Sequence, residues 1–125
     1  MAVRILVVDD EPYIRDLVRE TLRLRSFEAA VAANGVEALD LLSRERYDVL
    51  VTDVQMPGMD GLELLKRVKR AHPHMRVIVL TAYPRQQDIS DFLLQGADDF
   101  LTKPFRANDL VAAIRKAERG PPAPG

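Results

Sequence analysis

Apolar positions along this chain fall into five short, nearly continuous runs, each followed by a stretch in which apolar residues return every three or four positions. A short apolar run bounded by turn residues predicts a strand, and the 3.6-residue period predicts an amphipathic helix. Arg4 to Val8 reads as the first strand. Pro12 is tolerated in a first helical turn, and Ile14, Leu17, Val18, Thr21 and Leu22 fall on one stripe after it. Phe27 to Ala33 is a weaker, alanine-rich strand. Asn34-Gly35-Val36-Glu37 has the cap-then-acid spacing of a helix start, with Val36, Leu39 and Leu42 predicted to face inward. Tyr47 to Thr52 is a third strand, apolar enough to be buried on both faces.

After the Pro57-Gly58 turn, Leu62, Leu65, Val68 and Lys69 follow helical spacing, with Lys66, Arg67 and Arg70 in solvent, until Pro73 closes the helix. Val77 to Leu80 is the fourth strand. A helix over Gln86 to Gln95 puts Ile89, Phe92 and Leu93 against the sheet, and Gly96 provides a left-handed stop. Asp99 to Leu101 is the fifth strand. Val111, Ile114, Ala112, Ala113 and Ala117 mark a closing helix that ends near Arg119. Strands alternating with helices imply right-handed βαβ units, hence an α/β fold with a parallel five-stranded sheet covered on both faces. The domain is expected over residues 1–119, with Gly120 to Gly125 as a Pro/Gly-rich tail or linker.

Composition narrows the classes. At 125 residues the chain suits a single domain, and with no cysteine it has neither disulfides nor thiolate metal sites. No secretory leader or membrane-length apolar run is visible, so a cytoplasmic location is expected and no membrane partner. A formal net charge of -1 argues against direct nucleic-acid binding by this domain. Arg4, Arg15, Arg19, Arg23 and Arg25 read as a solvated face, and His72 and His74 as exposed loop histidines, since nothing beside them completes a metal site.

In a parallel sheet all strand C-termini share one rim, where ligands of open α/β folds bind. A lone acid there usually caps the next turn. Here Asp9, Asp10 and Glu11 follow the first strand, Asp53 the third, Thr81 and Ala82 the fourth and Lys103 the fifth, so groups distant in sequence converge. Crowded carboxylates repel unless a cation neutralises them, and oxygen ligands with room for water suit Mg²⁺. A nucleophilic carboxylate, a divalent cation, a lysine and a hydroxyl donor meet the needs of phosphoryl transfer, with an aspartyl phosphate on Asp53 as product.

Val7-Val8-Asp9-Asp10-Glu11, Asp53-Val54-Gln55-Met56-Pro57-Gly58-Met59-Asp60-Gly61, Leu80-Thr81-Ala82 and the segment from Gly96 through Lys103-Pro104-Phe105 resemble the receiver domain of two-component response regulators (CheY-like) from Val3 to about Arg119. The resemblance implies a doubly wound, flavodoxin-like (βα)5 fold of strand order 2-1-3-4-5. It implies phosphorylation of Asp53 by a sensor histidine kinase, with Asp10 binding Mg²⁺ directly, Asp9 mainly through water, and Asp53 and the Gln55 carbonyl completing the protein ligands. Lys103 and Thr81 would hold phosphoryl oxygens, assisted by the amides of Gln55 and Ala82, and the Lys103-Pro104 bond is expected to be cis. Thr81 and Phe100 would form the switch toward the surface of helix 4, strand 5 and helix 5, which meets an effector or output domain or a second copy. Asp98, Asp99 and Asp109 stand where a dimerising subfamily has acids, whereas Ile89 and Ala113 stand where it has basic partners. Such a protein catalyses its own phosphorylation and dephosphorylation without being a conventional turnover enzyme. The alternatives are an unphosphorylated interaction module on the same fold and an aspartyl-phosphate phosphohydrolase, which would commonly carry an acid where this chain has Gln55. Gln55 is read as a tuner that orders or excludes the attacking water, and Tyr83 either as a screen of the site against water or as a partly exposed aromatic on a loop.

Overall fold

The computed structural model describes residues 3–119; the expected tail over 120–125 lies outside the described residues. The elements follow in the order β1 (Arg4–Val8), α1 (Pro12–Leu24), β2 (Glu28–Ala32), α2 (Gly35–Arg44), β3 (Val49–Asp53), α3 (Gly61–Ala71), β4 (Arg76–Thr81), α4 (Gln86–Leu94), β5 (Asp99–Thr102) and α5 (Ala107–Arg119). Neighbouring strands are all parallel, in the order β2-β1-β3-β4-β5. The parallel, two-faced α/β sheet is what the alternation of periods predicts, and its doubly wound, flavodoxin-like strand order is what the family resemblance implies.

Side chains alternate across the sheet because successive Cβ atoms in a strand point to opposite faces. Ile5, Val7, Val49, Val51, Ile78 and Leu80 pack with Val18 and Leu22 of α1 and Leu110 and Ile114 of α5. Leu6, Val8, Leu50, Val77 and Val79 pack on the other face with Leu42 of α2, Leu64, Leu65 and Val68 of α3, and Phe92 of α4. The central strands are sealed on both sides, so only their ends are free for chemistry.

Three inward assignments are corrected. Leu17, Val36 and Leu93 are 50%, 68% and 52% exposed. Each lies about 100° or more around its helix from a fully buried neighbour, Val18, Ala38 or Phe92, and a short helix resting on a sheet by one ridge leaves such positions outside. Ala112 is likewise exposed, while Leu64 and Leu110, absent from the expected stripes, are completely buried. Strand limits differ by up to two residues: β3 runs from Val49 to Asp53, and β5 extends to Thr102. The arginines near the N-terminus are occupied at the surface, Arg4 by Glu28 and Glu45, Arg19 by Asp16 and Arg23 by Glu20.

Candidate functional site

Strand register assembles the rim. Val8 pairs with Thr52, Asp53 with Leu80 and Thr81 with Thr102, so the residues that leave β1, β3, β4 and β5 emerge at one level. Backbone bonds continue the ladder one step further, from Asp9 N to Ala32 O (3.2 Å), Val54 N to Leu80 O (3.1 Å) and Lys103 N to Thr81 O (2.7 Å). The Lys103-Pro104 peptide bond is cis.

Asp9 is completely buried yet fully engaged. Its Oδ1 accepts from the Glu11 amide at 3.0 Å and its Oδ2 from Lys103 Nζ at 3.0 Å, while its carbonyl accepts from the Arg15 guanidinium at 2.9 Å. Lys103 Nζ also lies 3.3 Å from Asp53 Oδ2, and Asp53 Oδ1 accepts from the Val54 amide at 2.8 Å. One ammonium thus bridges the ends of β1 and β3. Burial pushes the Asp53 carboxyl above its ordinary value; the Lys103 charge opposes this, and the Asp9 charge adds to it. Burial disfavours the Lys103 ammonium too, but the hydrogen bond to Asp9 and the charges of Asp53 and Asp9 outweigh it, and its pKa rises.

Asp10 is exposed at the mouth, and one carboxylate oxygen from each of Asp9, Asp10 and Asp53 lies within 4.8 Å of the others. Among the described residues this is the one group of at least three metal-ligating side chains so placed. Three carboxylates face a single ammonium, a formal deficit of two positive charges. An all-oxygen donor set with that deficit fits a small, hard divalent cation and offers nothing to a soft one.

Asp10, Glu11, Asp53, Gln55, Thr81, Ala82, Tyr83 and Lys103 line a common cleft of about 260 Å³. Thr81 is 5% exposed and its Oγ1 accepts from the Tyr83 amide at 3.1 Å, which leaves the hydroxyl proton available to an anion in the cleft. Tyr83 itself is 75% exposed. Phe100 does not line the cleft: half-buried on β5, its ring meets Phe92 of α4 edge-on, with centroids 5.5 Å apart. Asp98 is held internally by Lys69 (3.4 Å), Arg76 (3.6 Å) and the Val77 amide (2.8 Å), which occupies one of the acids that stand where a dimerising subfamily has them.

Sequence reading missed two features. Arg15 reaches back from α1 to the Asp9 carbonyl, where helical spacing suggested only a solvated base. Asp88, in the first turn of α4, lines the same cleft as Asp53; no short motif marks it, because only the position of α4 over the rim brings it there.

The model for the response regulator receiver domain matches residues 5–115. Response regulator MprA of Mycobacterium bovis (strain BCG) is 41% identical over 115 residues, which take in 92% of this chain and 50% of that protein. The chain thus spans about half the length of the curated relatives it matches. The CheY-like response regulator receiver domain protein of Methanospirillum hungatei superposes with a TM-score of 0.91 at 30% identity, covering 95% of each chain. NtrX of Brucella abortus gives a TM-score of 0.90 at 33% identity, over 95% of this chain and 27% of that one.

Proposed function

The chain belongs to the response regulator receiver domain family, and on that premise we propose that it is a switch operated by phosphorylation of Asp53. The observation that carries this reading is the bridge from Lys103 to both the buried Asp9 and Asp53, with Lys103, Asp53 and Thr81 lining one cleft open to solvent. Asp53 is the nucleophile. In the transfer the P–N bond of a phosphohistidine on a sensor histidine kinase breaks, a P–O bond to Asp53 forms, and the imidazole leaves with the electron pair of the broken bond. Lys103 then exchanges part of its contact with Asp53 for a phosphoryl oxygen, and the Thr81 hydroxyl donates to another. The amides of Gln55 and Ala82 serve the remaining charge.

Asp10 and Asp53, the Gln55 carbonyl and, through water, Asp9 would hold Mg²⁺, which when bound supplies the missing positive charge. Hydrolysis returns the site to its start: water attacks phosphorus, and phosphate departs from the Asp53 carboxylate. Thr81 moving toward the phosphoryl group makes room for the Phe100 ring, so that the surface of α4, β5 and α5 changes toward an effector. Contact between Phe100 and Phe92 supports this route, since it ties β5 to α4. Relatives of about twice this length support an output domain as the effector.

Incubating the chain with Mg²⁺ and acetyl phosphate tests the reading. A switch takes up one base-labile phosphate per chain, and Asp53→Ala takes up none. No uptake by the wild type would indicate an interaction module; release of many equivalents of phosphate without accumulation would indicate a phosphohydrolase.

A further inference from the structure

Asp88 is an acid on the cleft wall that the transfer chemistry leaves without a task. It lines the cavity together with Asp53, Thr81, Ala82, Tyr83 and Lys103. Its side chain is 29% exposed and its Oδ2 lies 3.3 Å from Arg85 Nε, whereas Arg85 is 67% exposed. A carboxylate in a first helical turn ordinarily offsets the partial positive charge of the helix end, and the Arg85 pair is of the kind found on any helix surface. Neither role requires the side chain to border the phosphoryl cavity. A carboxylate there opposes the two negative charges that a phosphoryl group brings onto Asp53, in a partly enclosed space where screening is weak.

We propose that Asp88 is an electrostatic brake on the phosphoryl site: its charge in the cleft wall weakens the hold on a phosphoryl group, and Arg85 moderates it by pairing. The inference rests on the reading of Asp53 as phosphoacceptor. Asp88 acts on the bound group through its field and takes no part in bond making. Arrival of the phosphoryl charge repels Asp88 and attracts Arg85, so the first turn of α4 receives the signal directly, beside the route through Thr81 and Phe100.

The test is a titration of the whole chain with beryllofluoride, a phosphoryl mimic, at saturating Mg²⁺, followed by NMR, with thermal unfolding recorded alongside. Asp88→Asn should bind the mimic about three- to tenfold more tightly at low ionic strength, and the gain should shrink in about 0.5 M salt, where the Debye length falls to a few ångströms. Asp88→Glu should stay near the wild type, and Arg85→Ala should bind more weakly. Equal affinity for Asp88→Asn and the wild type, with only the unfolding temperature changed, would leave Asp88 a helix-end residue and overturn the brake. Tighter binding by Asp88→Glu equal to that of Asp88→Asn would overturn it as well. If the wild type binds no beryllofluoride under any condition, the phosphoacceptor reading falls and takes this inference with it.

Discussion

Asp53 ends β3 between the Val54 amide and the Lys103 ammonium, and burial holds its carboxyl above the ordinary range against the pull of Lys103. A carboxyl whose folded pKa is raised contributes stability that is complete below its unfolded pKa, roughly 3.9, and is lost as pH rises through the folded value. At neutral pH the ionised group therefore works against folding. In chelator, Asp53→Asn should resist urea better than the wild type at pH 7, and the advantage should vanish as pH falls toward ~4. A less stable Asn variant at pH 7 would mean that attraction to Lys103 outweighs burial. Lys103, also raised, has the cation's sign: its contribution is complete below roughly pH 10.4 and lost as pH climbs through the folded value. Gly61 is constrained by space rather than charge. A Cβ there would stand 2.3 Å from the Asp53 carbonyl and 3.0 Å from that of Val54, so the helix start must be glycine for β3 to end where it does. Gly61→Ala should cost about 1–3 kcal/mol in urea unfolding, the usual price of overpacking, and should disturb the NMR signals of Asp53 and Val54.

Helix ends show how much local code the chain contains. Asn34 and Asp60 each accept from the amide three residues on, Glu37 at 2.9 Å and Glu63 at 2.9 Å; the first of these caps is the one the spacing predicts, and the second is a finding of the structure. Two helices end in the same pair of backbone hydrogen bonds. In α4 the amides of Gly96 and Ala97 reach the carbonyls of Leu93 and Phe92; in α1 those of Ser26 and Phe27 reach Arg23 and Leu22. This pattern needs a left-handed residue between helix and strand, and the chain uses Gly96 at φ 101° in one case and Ser26 at φ 69° in the other. Only glycine occupies that region without a steric penalty. Ser26→Gly should therefore stabilise the protein by about 0.5–1 kcal/mol and raise the unfolding midpoint by a few degrees, whereas Gly96→Ala should destabilise it by about 1–2 kcal/mol. Calorimetry of the two variants checks both signs. The end of α4 was legible because glycine announces it; that of α1 was not, because serine does not.

Across the whole molecule, the three clustered carboxylates carry like charge at close range, and a divalent cation bound among them would relieve the repulsion. Mg²⁺ should raise the thermal midpoint by an amount that grows with concentration, about 2.7 kcal/mol of stability at a hundred times its Kd, and Asp10→Asn should remove most of the effect. Sodium chloride at equal ionic strength should not reproduce it. No helix among the described residues is long and apolar enough to cross a membrane. The alternation of two hydrophobic periods determined the α/β class, and the five apolar runs located the rim residues Asp9, Asp53, Thr81 and Lys103, because periodicity and turn chemistry are local properties. Distances were another matter. That Lys103 spans Asp9 and Asp53, that Arg15 grips the Asp9 carbonyl, that Asp98 is spent on Lys69 and Arg76, and that Asp88 borders the cleft follow from strand register and from how each helix lies on the sheet. Those placements are set by packing among residues far apart in the chain, which no window along the sequence contains, and only the assembled fold decides them.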